Sequence, residues 1–180
     1  MENIKFVKQI MGNKGKYNDI GNCRYYPLEN GNIAKVIVDG VFVLDYGCGK
    51  FNNAKDYINS INGTWNGYDP YNRTDEENNL ALNNFSNCII CSNVLNVLFS
   101  SDAIFEIVRY IYTRIQKSPQ TVFISIYEGN KSEVGKITKK DCYQRNEKIN
   151  SYLKYFDEVF GKNVFTIKKG IITNSPEYIK

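Results

Sequence analysis

The chain has 180 residues, 42% of them hydrophobic and 14% aromatic, which suits one domain with a sizeable core. No apolar run approaches the ~18 residues that a membrane span needs, and residues 1–10 mix charges with apolar side chains and lack a signal-peptide core, which places the protein in the cytoplasm. A net charge of +4 permits a polyanionic partner without demanding one, and the absence of histidine, with five irregularly spaced cysteines, excludes His-based catalysis and argues against a zinc or other metal site.

In chain order, Asn3–Met11 carries Ile4, Val7, Ile10 and Met11 at helical spacing. Residues 12–31 form a long segment rich in Gly, Asn, Tyr and Lys. It reads either as a surface segment or as a lid over a bound ligand, since aromatic residues interspersed with cations stack on bases and ribose-phosphate. Asn32–Val38 is a short helix or strand. Residues 1–40 are therefore an N-terminal helix and lid-like segment, and 41–180 an α/β domain, the whole forming one compact unit.

Val41-Phe42-Val43-Leu44 suits a strand buried on both faces, and it runs into Asp45 and then Gly47-Cys48-Gly49. A strand ending at Gly-x-Gly lets a ligand approach the backbone closely, because no Cβ stands in the way. Twenty residues beyond Gly49, at the tip of the next strand, stands Asp69. An acid at that distance is placed to hold a ribose by its hydroxyls. Together the two features describe an adenosine-type cofactor site.

A helix over 52–61 follows the glycine turn, capped by Asn52 or Asn53 and ended by Asn62-Gly63. Trp65–Asp69 is the second strand, stopped by Pro70. Residues 71–86 are polar, with Leu80, Leu82 and Phe85 late in the stretch. Only eighteen residues separate Asp69 from the next strand at Cys88–Cys91, too few for a helix, a strand and another helix. The third βα unit of a doubly wound sheet is therefore shortened or missing. Asp102 is expected to cap a helix over Ala103–Gln116, with Ile104, Ile107, Val108, Ile111 and Ile115 on one side. Thr121–Tyr127 is a strand ending at Glu128. Residues 131–140 are a Lys-rich loop, 139–160 a long helix capped by Thr138, and 164–168 with 170–173 a closing hairpin. The fold class is α/β: a mainly parallel, Rossmann-like sheet with helices on both faces and a C-terminal antiparallel hairpin.

Asp45-Tyr46-Gly47-Cys48-Gly49 resembles the Asp-x-Gly-x-Gly signature of class I S-adenosylmethionine-dependent methyltransferases, and Cys91-Ser92-Asn93-Val94-Leu95 is similar to the strand-end segment that faces the methyl donor there. Phe51 departs from the family's third glycine. Gly67-Tyr68-Asp69-Pro70, Val94-Leu95-Asn96-Val97 and Thr138 with Tyr143-Gln144 look like the putative methyltransferases associated with DNA phosphorothioation. The resemblance implies an S-adenosylmethionine site in which the amides of 47–50 meet the cofactor's amino-acid portion and ribose. In it Asp45 orients the turn or meets the cofactor's ammonium, Asp69 accepts from both ribose hydroxyls, and Tyr68, Pro70 or Tyr71 packs near adenine. Ser92 to Asn96 line the transfer site. Asn93 and Glu128 are the candidate catalytic groups, with Tyr127 or Asp45 as other possible bases, and no metal is needed. The acceptor is left open, nucleic acid being slightly favoured over a small molecule or protein.

Each feature has a plainer reading. Asn93 and Asn96 would cap the turn after their strand, Glu128 would cap a loop, and Cys48 is simply a small residue in a tight turn. Cys88 and Cys91, three apart on a strand, face opposite sides and are buried structural thiols. The cations Lys131, Lys136, Lys139, Lys140, Arg145 and Lys148 track a phosphate backbone or merely form a solvated face. A binding protein on the same scaffold without transfer activity is the alternative function. A nicotinamide-dependent enzyme is the third, though Asn52 occupies the position of its third glycine.

Overall fold

The computed structural model describes residues 40–50, 52–60, 62–139 and 142–176. The expected N-terminal helix, the lid-like segment, the 32–38 element and Phe51 lie outside the described residues, as does the division of the chain at residue 40.

The core element is strand β1 (Phe42–Tyr46), whose inner residues Val43 and Leu44 are completely buried, one on each face. It pairs in parallel with β2 (Thr64–Tyr68) on one side and β3 (Cys88–Ser92) on the other. β3 in turn pairs in parallel with β4 (Thr121–Ser125). A hairpin of β7 (Thr166–Lys168) and β8 (Ile171–Thr173) completes a six-stranded sheet of order β2-β1-β3-β4-β8-β7, with β8 antiparallel to both neighbours. The hairpin's two-residue turn is Lys169-Gly170, both at positive φ (48° and 76°), which matches the twist of the strands it joins.

Helices cover both faces. Helix α1 (Asn53–Ser60) buries Ala54 and Ile58 against Val41, Val43, Cys88, Ile90 and Phe123. The opposite face packs against helix α2 (Asp75–Asn83), α3 (Ser101–Lys117) and α4 (Leu153–Phe160). Cys88 and Cys91 fall in the two different cores, as their spacing requires, and neither forms a disulfide among the described residues. No helix among the described residues is long and apolar enough to cross a membrane.

Between β2 and β3 lies a single helix, α2, so a whole strand is absent there, as the short spacing demands. The helix starts at Thr74, whose side chain accepts from the Glu77 N–H (3.2 Å) while the Glu77 carboxylate accepts from the Thr74 N–H (2.8 Å). Replacing Thr74 by Ala is expected to lower stability by about 1 kcal/mol, read as a lower urea midpoint at unchanged slope.

Two expectations are corrected. Helix α3 is capped by Ser100, whose hydroxyl accepts from the Ala103 N–H at 3.1 Å; Asp102 sits inside the first turn, where its charge complements the helix dipole. The long helix over 139–160 does not exist. Strands β5 (Lys136–Lys139) and β6 (Cys142–Gln144) form an antiparallel hairpin, so part of the expected Lys-rich loop is strand, followed by a 3-10 turn at Ile149–Tyr152 and then α4. Only from Tyr152 onward do apolar residues recur at helical spacing, and Asn146 at φ 56° breaks any helix upstream.

Candidate functional site

Because β1 to β4 are parallel, their C-terminal ends share one edge of the sheet. The chain leaves β1 for β2 on one side and returns to β3 on the other, so the order reverses at β1. In open parallel sheets ligands bind in the crevice at such a reversal. Asp45, Gly47–Gly49, Asp69, Ser92 and Asn93 all lie along this edge.

The glycine turn is braced onto β2. The amides of Gly47 and Cys48 both donate to the Tyr68 carbonyl (2.8 and 3.0 Å), and the Gly49 amide donates to Asp69 Oδ2 at 2.9 Å. Gly47 and Gly49 adopt φ of 81° and 67°, and a Cβ on Gly47 would collide with the Val94 side chain. The expectation that the amides of 47–50 meet a ligand therefore changes for the first three. In this turn they fold back onto the protein, and the glycines contribute close approach instead.

Asp69 is 5% exposed, and its carboxylate is heavily engaged. Oδ1 accepts from the Tyr71 N–H (2.9 Å), the Asn72 N–H (3.0 Å) and the Asn72 side chain (3.0 Å), and Oδ2 takes Gly49. Its backbone is clamped by Asn78, which accepts from the Asp69 N–H at 2.9 Å and donates to the Asp69 carbonyl at 3.1 Å. An ionised carboxylate has about four acceptor positions. Oδ2 retains capacity for one more donor, whereas the sequence reading asks for two ribose hydroxyls.

Asp45 is buried and accepts from the Trp65 indole N–H at 3.2 Å. Arg73 lies over the Trp65 ring, 5.1 Å from its centroid, and donates to Cys48 Sγ (3.3 Å) and to Asn52 Oδ1 (3.1 Å). Burial pushes the Cys48 thiol up to about 12, with the Asp45 carboxylate adding to the shift and Asp69 acting in the same direction. Both acids thus act on one space around Cys48. The thiol itself stays protonated near neutrality and is no nucleophile.

Ser92, at the end of β3, is buried and stands opposite Ser125. Asn93 follows at φ 56°, its amide donating to the Ser125 carbonyl at 2.9 Å. Its half-buried side chain makes no hydrogen bond among the described residues. Pro70 and Tyr71 are half-buried in the turn after β2, whereas Tyr68 packs against Tyr46 (4.6 Å between ring centroids) on the α3 side of the sheet. Asn96 is completely buried and donates to Gln144 Oε1 at 3.1 Å.

Glu128 is built as a cap. Oε1 accepts from the Ile149 N–H at 2.7 Å, and Oε2 pairs with Lys131 at 2.8 Å. The Lys131 hydrogen bond, then that of Ile149, hold its carboxyl below the usual range. The cap is thus fully present above the ordinary carboxylate range and is lost as pH falls through the lowered value. A lowered pKa also makes Glu128 a weaker proton acceptor.

Sequence reasoning gave no site role to Arg73, Trp65 and Asn78, and quoted Gln144 only within the resemblance. Of the first three only Asn78 carried a signal: the Thr74-x-x-Glu77 box fixes a helix start that places it on the turn facing Asp69. Among the described residues no cluster of three or more His, Cys, Asp or Glu is placed to hold a metal ion. Comparison with known proteins gives no significant match to any family model, curated protein or solved structure.

Proposed function

We propose that the chain is a class I S-adenosylmethionine-dependent methyltransferase built on a Rossmann-like sheet. The carrying observation is the Gly49 N–H···Asp69 Oδ2 contact, which joins a glycine turn and a strand-end acid side by side where the strand order reverses. Part of the site fits the cofactor: Asp69 Oδ2 has capacity for one ribose hydroxyl, and Pro70 and Tyr71 are half-buried in the turn beside it. Asp45 holds the Trp65 indole, and Arg73 reaches Cys48 from the turn after β2. When bound, S-adenosylmethionine supplies an electrophilic methyl group.

The residues would act mainly by positioning. Holding acceptor and donor at near-attack distance contributes as much as ~7–11 kcal/mol in well-oriented models. Asn93, with its uncommitted amide at the tip of β3, is the group assigned to the acceptor. Replacing Asn93 by Ala is expected to lower turnover about 100-fold, the scale of one lost transition-state hydrogen bond. Cofactor affinity should stay within about twofold, since the cofactor contacts lie on β1 and β2. Single-turnover methyl transfer beside calorimetry separates the two.

A second reading, a scaffold that acts through contacts without transfer, is favoured by one observation: the amides of 47–49 and three acceptor positions of Asp69 are already engaged within the protein. Calorimetric titration with S-adenosylmethionine and with its demethylated product distinguishes the readings. Saturable heat followed by label transfer in a screen of DNA, RNA, protein and metabolite pools supports the enzyme. No heat with either compound leaves the scaffold.

A further inference from the structure

β3 and β4 change character at the same level. Each carries buried apolar residues up to its tip, Ile90 and Cys91 on one and Phe123 and Ile124 on the other, and each then turns to serine. Ser92 and Ser125 are partners in the parallel register, so they leave the sheet on the same face, from strands about 4.8 Å apart. By the two-residue alternation it is the face that carries Ile90 and Phe123. Ser92 is 6% exposed and Ser125 half-buried, and neither hydroxyl has a hydrogen-bond partner among the described residues. Nor is either sealed off: the unpaired side-chain atoms cut off from solvent there are Asn96 Oδ1 and the Tyr110 and Tyr152 hydroxyls. A buried hydroxyl without a partner destabilises a fold. Alanine or cysteine would fill the Ser92 position without that cost, so the serine there calls for a partner from outside the chain.

The row has defined ends. On the β8 side Ser125 stands opposite the buried Ile171. On the β1 side the glycine turn reaches the same segment, Gly47 lying against Val94, two positions beyond Ser92. Asn93 comes between them, its backbone amide tied to the Ser125 carbonyl at 2.9 Å and its side chain uncommitted.

The chemistry of the row is neutral. Two hydroxyls and a carboxamide donate and accept without charge, and Ile171 adds apolar surface at one end. Asp45, opposite Ile90 and so one step below Ser92 on the same face, accepts from the Trp65 indole. Glu128 is held by Lys131 and the Ile149 N–H. An ammonium or phosphate group seated in the row would lose its hydration without gaining a counter-charge there. A nucleobase presents neutral donors and acceptors side by side along the edge of a flat ring, and it reaches such a place only out of its stack.

We infer that Ser92, Ser125 and Asn93 seat the methyl acceptor, and that the acceptor is an unpaired nucleobase bound by its hydrogen-bonding edge. The seat stands on the tips of β3 and β4 alone; its use in transfer rests on the methyltransferase reading.

Titration followed by NMR with adenosine, guanosine, cytidine and uridine tests this, with the cofactor's demethylated product present so that adenosine does not merely take the cofactor's place. Fluorescence anisotropy with a mixed-sequence single strand of about 16 nucleotides tells a base within a strand from a free nucleoside. At least one base should bind saturably in one of the two forms. Ser92→Ala and Ser125→Ala should each weaken that binding about tenfold, while affinity for the product stays within about twofold. Ser92→Ala should melt at or above the wild-type temperature, because it removes an unpaired buried hydroxyl. No binding of any base, tighter binding of a lysine- or glutamate-bearing peptide, either variant at wild-type affinity, or a lower melting temperature for Ser92→Ala overturns the inference. Product heat in calorimetry without base binding sinks the seat and leaves the transfer reading; base binding that both variants weaken, without product heat, does the reverse.

Discussion

Gly47→Val is expected to eliminate detectable heat on titration with S-adenosylmethionine and to destabilise the fold by roughly 2–4 kcal/mol, from a branched residue forced to positive φ and from overpacking. The collision partner is known: any Cβ at position 47 strikes Val94, at the tip of β3. A double-mutant cycle is therefore informative. Val94→Ala makes room, so Gly47→Ala in that background should cost less than in the wild-type chain, by on the order of 1 kcal/mol. Full additivity in denaturant titrations would mean that the turn does not press on β3, and the geometry described for the crevice would be wrong.

Asp69→Ala is the second large effect. Removing the carboxylate leaves the N–H groups of Gly49, Tyr71 and Asn72 and the Asn72 side chain without their acceptor, so stability should drop by about 3 kcal/mol, and cofactor affinity with it. Asp69→Asn separates the two roles. It keeps an oxygen toward 71–72 and turns an amide N–H toward the Gly49 N–H, so that only the brace between strand tips is lost. Its stability cost should be about 1–2 kcal/mol, and its affinity loss should approach that of Ala. If the Asp69→Asn variant binds cofactor at wild-type strength, Asp69 serves only to hold its own turn.

What could be read in advance follows the range of the interactions. The strand Val41–Leu44, the Gly-x-Gly turn, the amphipathic helix around Ile104–Ile111 and the closing hairpin are local patterns, and the structure has them. The missing strand between Tyr68 and Cys88 was a matter of chain length. The β5–β6 hairpin was not legible, because what holds it is distant: Gln144 to Asn96, Arg145 to Leu98, and Tyr143 against Phe99. At the site, the spacing of Asp45, Gly47, Gly49 and Asp69 located the right strand tips. It could not tell which hydrogen bonds those groups would already have formed, nor that Arg73 would reach back to Cys48 and Trp65. Those depend on the path of the turn after Asp69, which Asn78 fixes from within α2.

The position of β8 bears on how the protein is made. Residues 171–173 lie between β4 and β7, with Phe123 facing Thr173, fifty positions further along the chain. On a ribosome working from the N-terminus, β4 emerges with one flank bare and stays so until the hairpin arrives. That flank displays the free N–H and C=O row on which strands from other chains add. Slowing synthesis between Ser125 and Thr166 should thus raise the yield of aggregate without altering the finished fold.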